Sequence, residues 1–132
     1  MDRRRQIAIV AGLVALGCLV QGVLIRRATV PALDAVHFVE LAQHIDAQGL
    51  PATLRCEREQ PLFPAWVWLV HRGLQGATGE RPSSWALSVQ LAAAIPLVLA
   101  VVPVYFVSLR LIGPSAALAG ALLFCVLPEV SR

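Results

Sequence analysis

The sequence predicts an all-α, polytopic membrane protein, and three observations lead there. Of its 132 residues, 58% are hydrophobic and only 14% charged, where an ordinary soluble domain carries about 45–50% apolar and roughly 25% charged residues. The apolar residues gather into long runs, and the mean hydropathy of the whole chain is +0.71. The longest polar interval between those runs, 31–64, holds five of the eight acidic residues, namely Asp34, Glu40, Asp46, Glu57 and Glu59. A soluble core of this size needs more polar residues to cover it than the chain has.

The first run, 7–25, has Gln21 as its only strongly polar interruption. At 1.5 Å per residue it extends roughly 28 Å, close to the ~30 Å hydrocarbon core. A cleaved signal peptide carries a shorter apolar region that ends in a small-x-small site. This run ends in Ile25, Arg26 and Arg27, so an uncleaved span is expected. Arg3, Arg4 and Arg5 precede it, which by the positive-inside tendency sets the N-terminus in the cytoplasm and the following segment, 26–84, outside.

Inside that loop, 34–48 has helical periodicity. Val36, Phe38, Val39, Leu41, Ala42 and Ile45 form an apolar side, and Asp34, His37, Gln43, His44, Asp46 and Gln48 a polar one. Asp34 stands at an N-cap position, and Gly49 followed by Pro51 closes the helix. A helix of this kind lies along a membrane interface. A second interfacial or re-entrant helix is expected at 62–74, because the apolar stretch between Pro61 and His71 is too short to cross a bilayer. Its Trp66 and Trp68 suit headgroup depth, and Gly73, Gly76, Gly79 and Pro82 form the turn that follows.

The run 85–109 is long enough to span with some tilt, bent at Pro96 and Pro103. Membrane helices tolerate such prolines when neighbours satisfy the freed carbonyls. A short turn through Arg110, Gly113 and Pro114 leads into 115–132, which reads as the start of a third span in a chain cut off before its end.

The charge of +3 arises from eleven arginines with no lysine, against eight acidic residues. They bracket the apolar runs instead of forming a stripe, so no nucleic-acid partner is expected. Cys18, Cys56 and Cys125 are odd in number and lack metal-type spacing, which makes them small apolar fillers.

The chemistry available is confined to a few residues. Asp34, at a helix start just past a membrane exit, is a candidate catalytic base and equally a plain helix cap. His37, Glu40 and His44 share one helix face, where they form either a divalent-metal set without an evident fourth ligand or a solvated stripe. Glu57 and Glu59 are candidate substrate contacts or a solvated run. His71 and Arg72 either meet lipid phosphates or simply end the apolar run.

The order of these features resembles the N-terminal part of the C-type (GT-C) membrane glycosyltransferases. The resemblance is to the family 39 group, which includes protein mannosyltransferases and aminoarabinose transferases. A basic start and one span lead to a loop helix in which Asp34, Phe38 and Ala42 follow the pattern D-x-x-x-aromatic-x-x-x-A. Gln60, Pro61, Leu62, Phe63 and Pro64 are similar to the junction that follows in the family. The later Arg110, Leu111, Ile112, Gly113, Ala116 and Ala117 are similar to its short inside turn. Ala35 stands where the family carries a second acid, and Phe38 where it carries tyrosine. The resemblance implies a multi-pass enzyme of the bacterial inner membrane, several hundred residues long, of which this chain is a fragment inactive by itself. It implies sugar transfer from a polyprenyl-phosphate-linked donor at the outer face, with Asp34 as the catalytic base and Gln60 near the substrate.

Two other classes remain open. A small non-enzymatic membrane protein would use the amphipathic loop to dock a partner or an anionic lipid. A transporter fragment would need polar residues inside its spans, and only Gln21 and Gln90 qualify.

Overall fold

The computed structural model describes residues 3–27, 33–56, 61–78 and 82–126, and every element among them is helical. In chain order these are α1 (Arg3–Arg27), α2 (Leu33–Gln48), α3 (Leu50–Cys56), α4 (Leu62–Thr78), α5 (Pro82–Ile112) and α6 (Pro114–Val126). They form two units. One contains Met1–Arg27 with Ala94–Arg132, the other Ala28–Ala93, so that α5 contributes to both.

Helix ends follow their local chemistry. Gly49 adopts φ +83°, and its N–H bonds the Ile45 carbonyl at 2.9 Å, which is the left-handed cap of α2. The Gly49 carbonyl then accepts from Thr53, by the backbone N–H at 3.3 Å and by Oγ1 at 3.2 Å. One glycine thus closes α2 and opens α3, with Pro51 in the first turn, where no intrahelical N–H is needed. Pro61 and Pro64 flank the start of α4 for the same reason, and the Pro61 carbonyl accepts from Ala65 N–H at 3.0 Å. A single residue, Gly113 at φ +89°, separates α5 from α6.

Three elements differ from expectation. The helix expected at 34–48 begins at Leu33, so Asp34 lies within its first turn. The helix expected at 62–74 runs through Gly73 and Gly76 to Thr78. Glycine costs about 1 kcal/mol each in a helix interior, but the inward face set by Pro64, Val67 and His71 continues at helical spacing to half-buried Leu74 and carries the helix on. The third difference is α3, a helix of seven residues that was not expected at all. Two helices, α1 and α5, are long and apolar enough to cross a membrane, whereas α6 has 13 residues, about 20 Å. The third span was expected only in its beginning, 115–132, and of this stretch 127–132 lie outside the described residues.

In the first unit, α1 packs on α6 through small residues. Leu13, Ala117, Ala121 and Cys125 are buried together with Val101 and Tyr105 of α5. Ala117, Ala121 and Cys125 recur every four residues along one face of α6, which lets helix backbones approach closely.

In the second unit, α2 packs on α4 and α3. Ala42, Val67, Val89 and Ala92 form its buried centre, with Phe38, Phe63, Trp66 and Trp85 packed around it. The Phe38 and Phe63 rings meet edge to face at 4.9 Å, a favoured aromatic geometry.

Candidate functional site

The polar side chains of the second unit lie in two groups. The buried group joins α4 to the first turns of α5. His71 is 2% exposed and its ring stacks on Trp85 at 3.6 Å with a 13° interplanar angle. Its Nδ1 is 3.0 Å from Ser88 Oγ. Ser88 uses its one hydroxyl proton to reach the Ser84 carbonyl at 2.7 Å, so its oxygen is left to accept. His71 Nδ1 therefore carries the proton in this bond.

The outer group joins α2 to α4. Asp46 Oδ1 accepts the Trp68 indole N–H at 2.9 Å and stands 3.6 Å from Arg72 Nε. The Arg72 guanidinium lies over the Trp68 ring, 4.8 Å from its centroid. Arg72 and Trp68 are one turn apart on α4, which brings cation and ring together. The Arg72 side chain is 58% exposed, so a guanidinium held by a ring and a carboxylate still has donors within reach of an anion. An ion pair this exposed contributes only about 0–1 kcal/mol.

A third bond satisfies the backbone. Pro96 has no N–H, which leaves the carbonyl four residues earlier, that of Ala92, without its helical donor. The Trp66 indole N–H takes that carbonyl at 2.9 Å. Every buried side-chain nitrogen and oxygen among the described residues has a hydrogen-bond partner.

The other sequence candidates are distributed as follows. Asp34 is in the first turn of α2, with its side chain outside the described residues. Glu57, Glu59 and Gln60 also lie outside them. His37, Glu40 and His44 are exposed along α2, and no group of three or more His, Cys, Asp or Glu side chains that could hold a metal ion occurs among the described residues. His71 and Arg72 are neighbours in sequence but belong to different groups, one buried against α5 and the other exposed beside α2. Sequence reasoning missed Asp46, Trp68, Trp85 and Ser88 as partners, since each contact links two helices and no spacing within one helix announces it.

No protein-family model, curated protein or solved structure matches the chain.

Proposed function

We propose that this chain is the N-terminal, membrane-embedded part of a glycosyltransferase that moves a sugar from a polyprenyl-phosphate donor to an acceptor at the outer face of a bacterial inner membrane. In this reading α1 and α5 cross the bilayer, the N-terminus is cytoplasmic, and α2, α3 and α4 lie at the outer interface. The apolar residues of α1 and α5 are mostly uncovered, with 11% and 22% of their most apolar stretches buried. A helix from a soluble core would be covered, so lipid is the environment that suits them.

The observation that carries the reading is the packing of Phe38 on Phe63. These residues belong to the two separate stretches that resemble the family, and Ala42 of the first stretch is buried in the same cluster. Asp34 is one helical turn before Phe38. A donor with its lipid tail in the bilayer keeps its reacting carbon at headgroup depth, the level of an interfacial helix.

The step assigned to Asp34 is general-base catalysis. Its carboxylate takes the proton of the acceptor O–H or N–H as that atom bonds to the anomeric carbon. The bond from this carbon to the lipid phosphate oxygen breaks, and its electron pair leaves with the phosphate. Asp34→Asn removes the base and lowers transfer about 10²–10⁴-fold. The test is sugar transfer in membranes by the uninterrupted product of the gene, read by mass spectrometry of lipid-linked sugars and acceptors. An unchanged rate at equal protein level reduces Asp34 to a helix-end residue, and no transfer by either form returns the chain to the docking class.

A further inference from the structure

The first unit contains a groove of about 410 Å³ where α1 meets α5, within the roughly 300–1,000 Å³ range of small-molecule sites. Its two ends differ in chemistry. Arg3 and Gln6 line one end, and Ile7, Val10, Ala11 and Val14 with Phe106 of α5 line the rest.

The polar end is strongly cationic. Arg3, Arg4 and Arg5 are all exposed, and the first turn of α1 contains no acidic residue. Asp2 offsets one of the three charges, and the sum stays positive. The positive end of the helix dipole adds to this field, so an anion is favoured there. The length of the groove also fits a particular ligand. From Arg3 to Val14 is about 16 Å along the helix, half of the ~30 Å hydrocarbon core and so the depth of one leaflet.

We propose that this groove holds one anionic phospholipid of the surrounding bilayer, with its phosphate at Arg3 and Gln6 and an acyl chain along Ile7, Val10, Val14 and Phe106. A zwitterionic headgroup brings its own cation up to the arginines and is disfavoured. The proposal rests on α1 crossing the membrane, and is independent of sugar transfer.

The test uses the full chain, purified in mild detergent with equal amounts of dioleoyl phosphatidylglycerol and dioleoyl phosphatidylcholine. Retained lipid is counted by native mass spectrometry. The wild type retains phosphatidylglycerol in preference, and Arg3→Gln lowers that preference about fivefold, as expected for one guanidinium near an anionic headgroup. Ala11→Phe, which fills the groove from a position that also lines it, lowers retention of both lipids. Arg27→Gln, at the opposite end of α1, leaves the preference unchanged. Retention by Arg3→Gln and Ala11→Phe equal to that of the wild type overturns the proposal. Alkaline extraction from liposomes separates the two ways of failing. A chain that stays inserted yet shows no preference refutes the lipid site alone, and a chain that washes off refutes the membrane span with it.

Discussion

At the scale of single residues, Trp66 and Pro96 form one device written at two distant points of the chain. The proline removes the donor that Ala92 would otherwise have, and the indole supplies another at 2.9 Å. Trp66→Phe keeps the ring but strands a buried carbonyl, which costs about 1–3 kcal/mol. Adding Pro96→Ala restores the helical donor, so the same Trp66→Phe change then costs only its packing difference. Thermal unfolding of the four proteins in one detergent measures this coupling, and equal costs in both backgrounds contradict the pairing. That prolines of the apolar run would need outside donors was legible in the sequence, and the identity of the donor was not, because it lies 26 residues away on another helix. His71 shows the same limit. Its place at the end of an apolar run allowed either a lipid contact or a simple terminus, and only the fold brings Ser88 and Trp85 to its ring. Of the candidate site, the residue types were readable, while the Asp34 side chain and Glu57, Glu59 and Gln60 lie outside the described residues, and the roles proposed for them rest on the sequence alone.

At the scale of elements, Gly17 of α1 faces Val98 of α5 and Cys125 of α6. A Cβ added there would stand 3.6 Å from the Val98 methyls and 4.0 Å from Cys125 Sγ. Those are ordinary contact distances, and a pocket of only about 10 Å³ adjoins the site. Gly17→Ala therefore matches or exceeds the wild type in stability, helped by a helix propensity gain of roughly 0.5–1 kcal/mol. Gly17→Leu overfills the site and costs about 1–3 kcal/mol. Helical ellipticity followed through thermal unfolding distinguishes them, and a leucine variant as stable as the wild type contradicts the packing. The helices themselves were largely legible. Apolar periodicity marked α2, and Gly49 marked its end because only a left-handed cap uses glycine there. The length of α4 was misread since Gly73 and Gly76 look like a turn. Two glycines are weak breakers when the apolar face beyond them still has something to pack on.

At the scale of the whole chain, composition alone pointed to α1 and α5, and both are long and apolar enough to cross a bilayer. The third span, expected only in its beginning at 115–132, is represented by α6 with its 13 residues, and 127–132 lie outside the described residues. Orientation is a matter of where charge stands relative to those helices. Arg3, Arg4 and Arg5 lie before α1 has become apolar, and Arg110 lies in the last turn of α5. In the proposed reading, two crossings between them return Arg110 to the side of the N-terminus and leave α2 and α4 on the other, as the proposed sugar transfer at the outer face requires.

The most direct measurement is therefore thiol labelling of Gln43→Cys on the exposed side of α2 and of Arg110→Cys at the end of α5, each as the only cysteine in the full chain. A membrane-impermeant maleimide is applied to spheroplasts before and after lysis. The account predicts that position 43 labels in intact spheroplasts and position 110 only after lysis. Labelling of both positions from the same side means that α5 does not cross between them, and contradicts it.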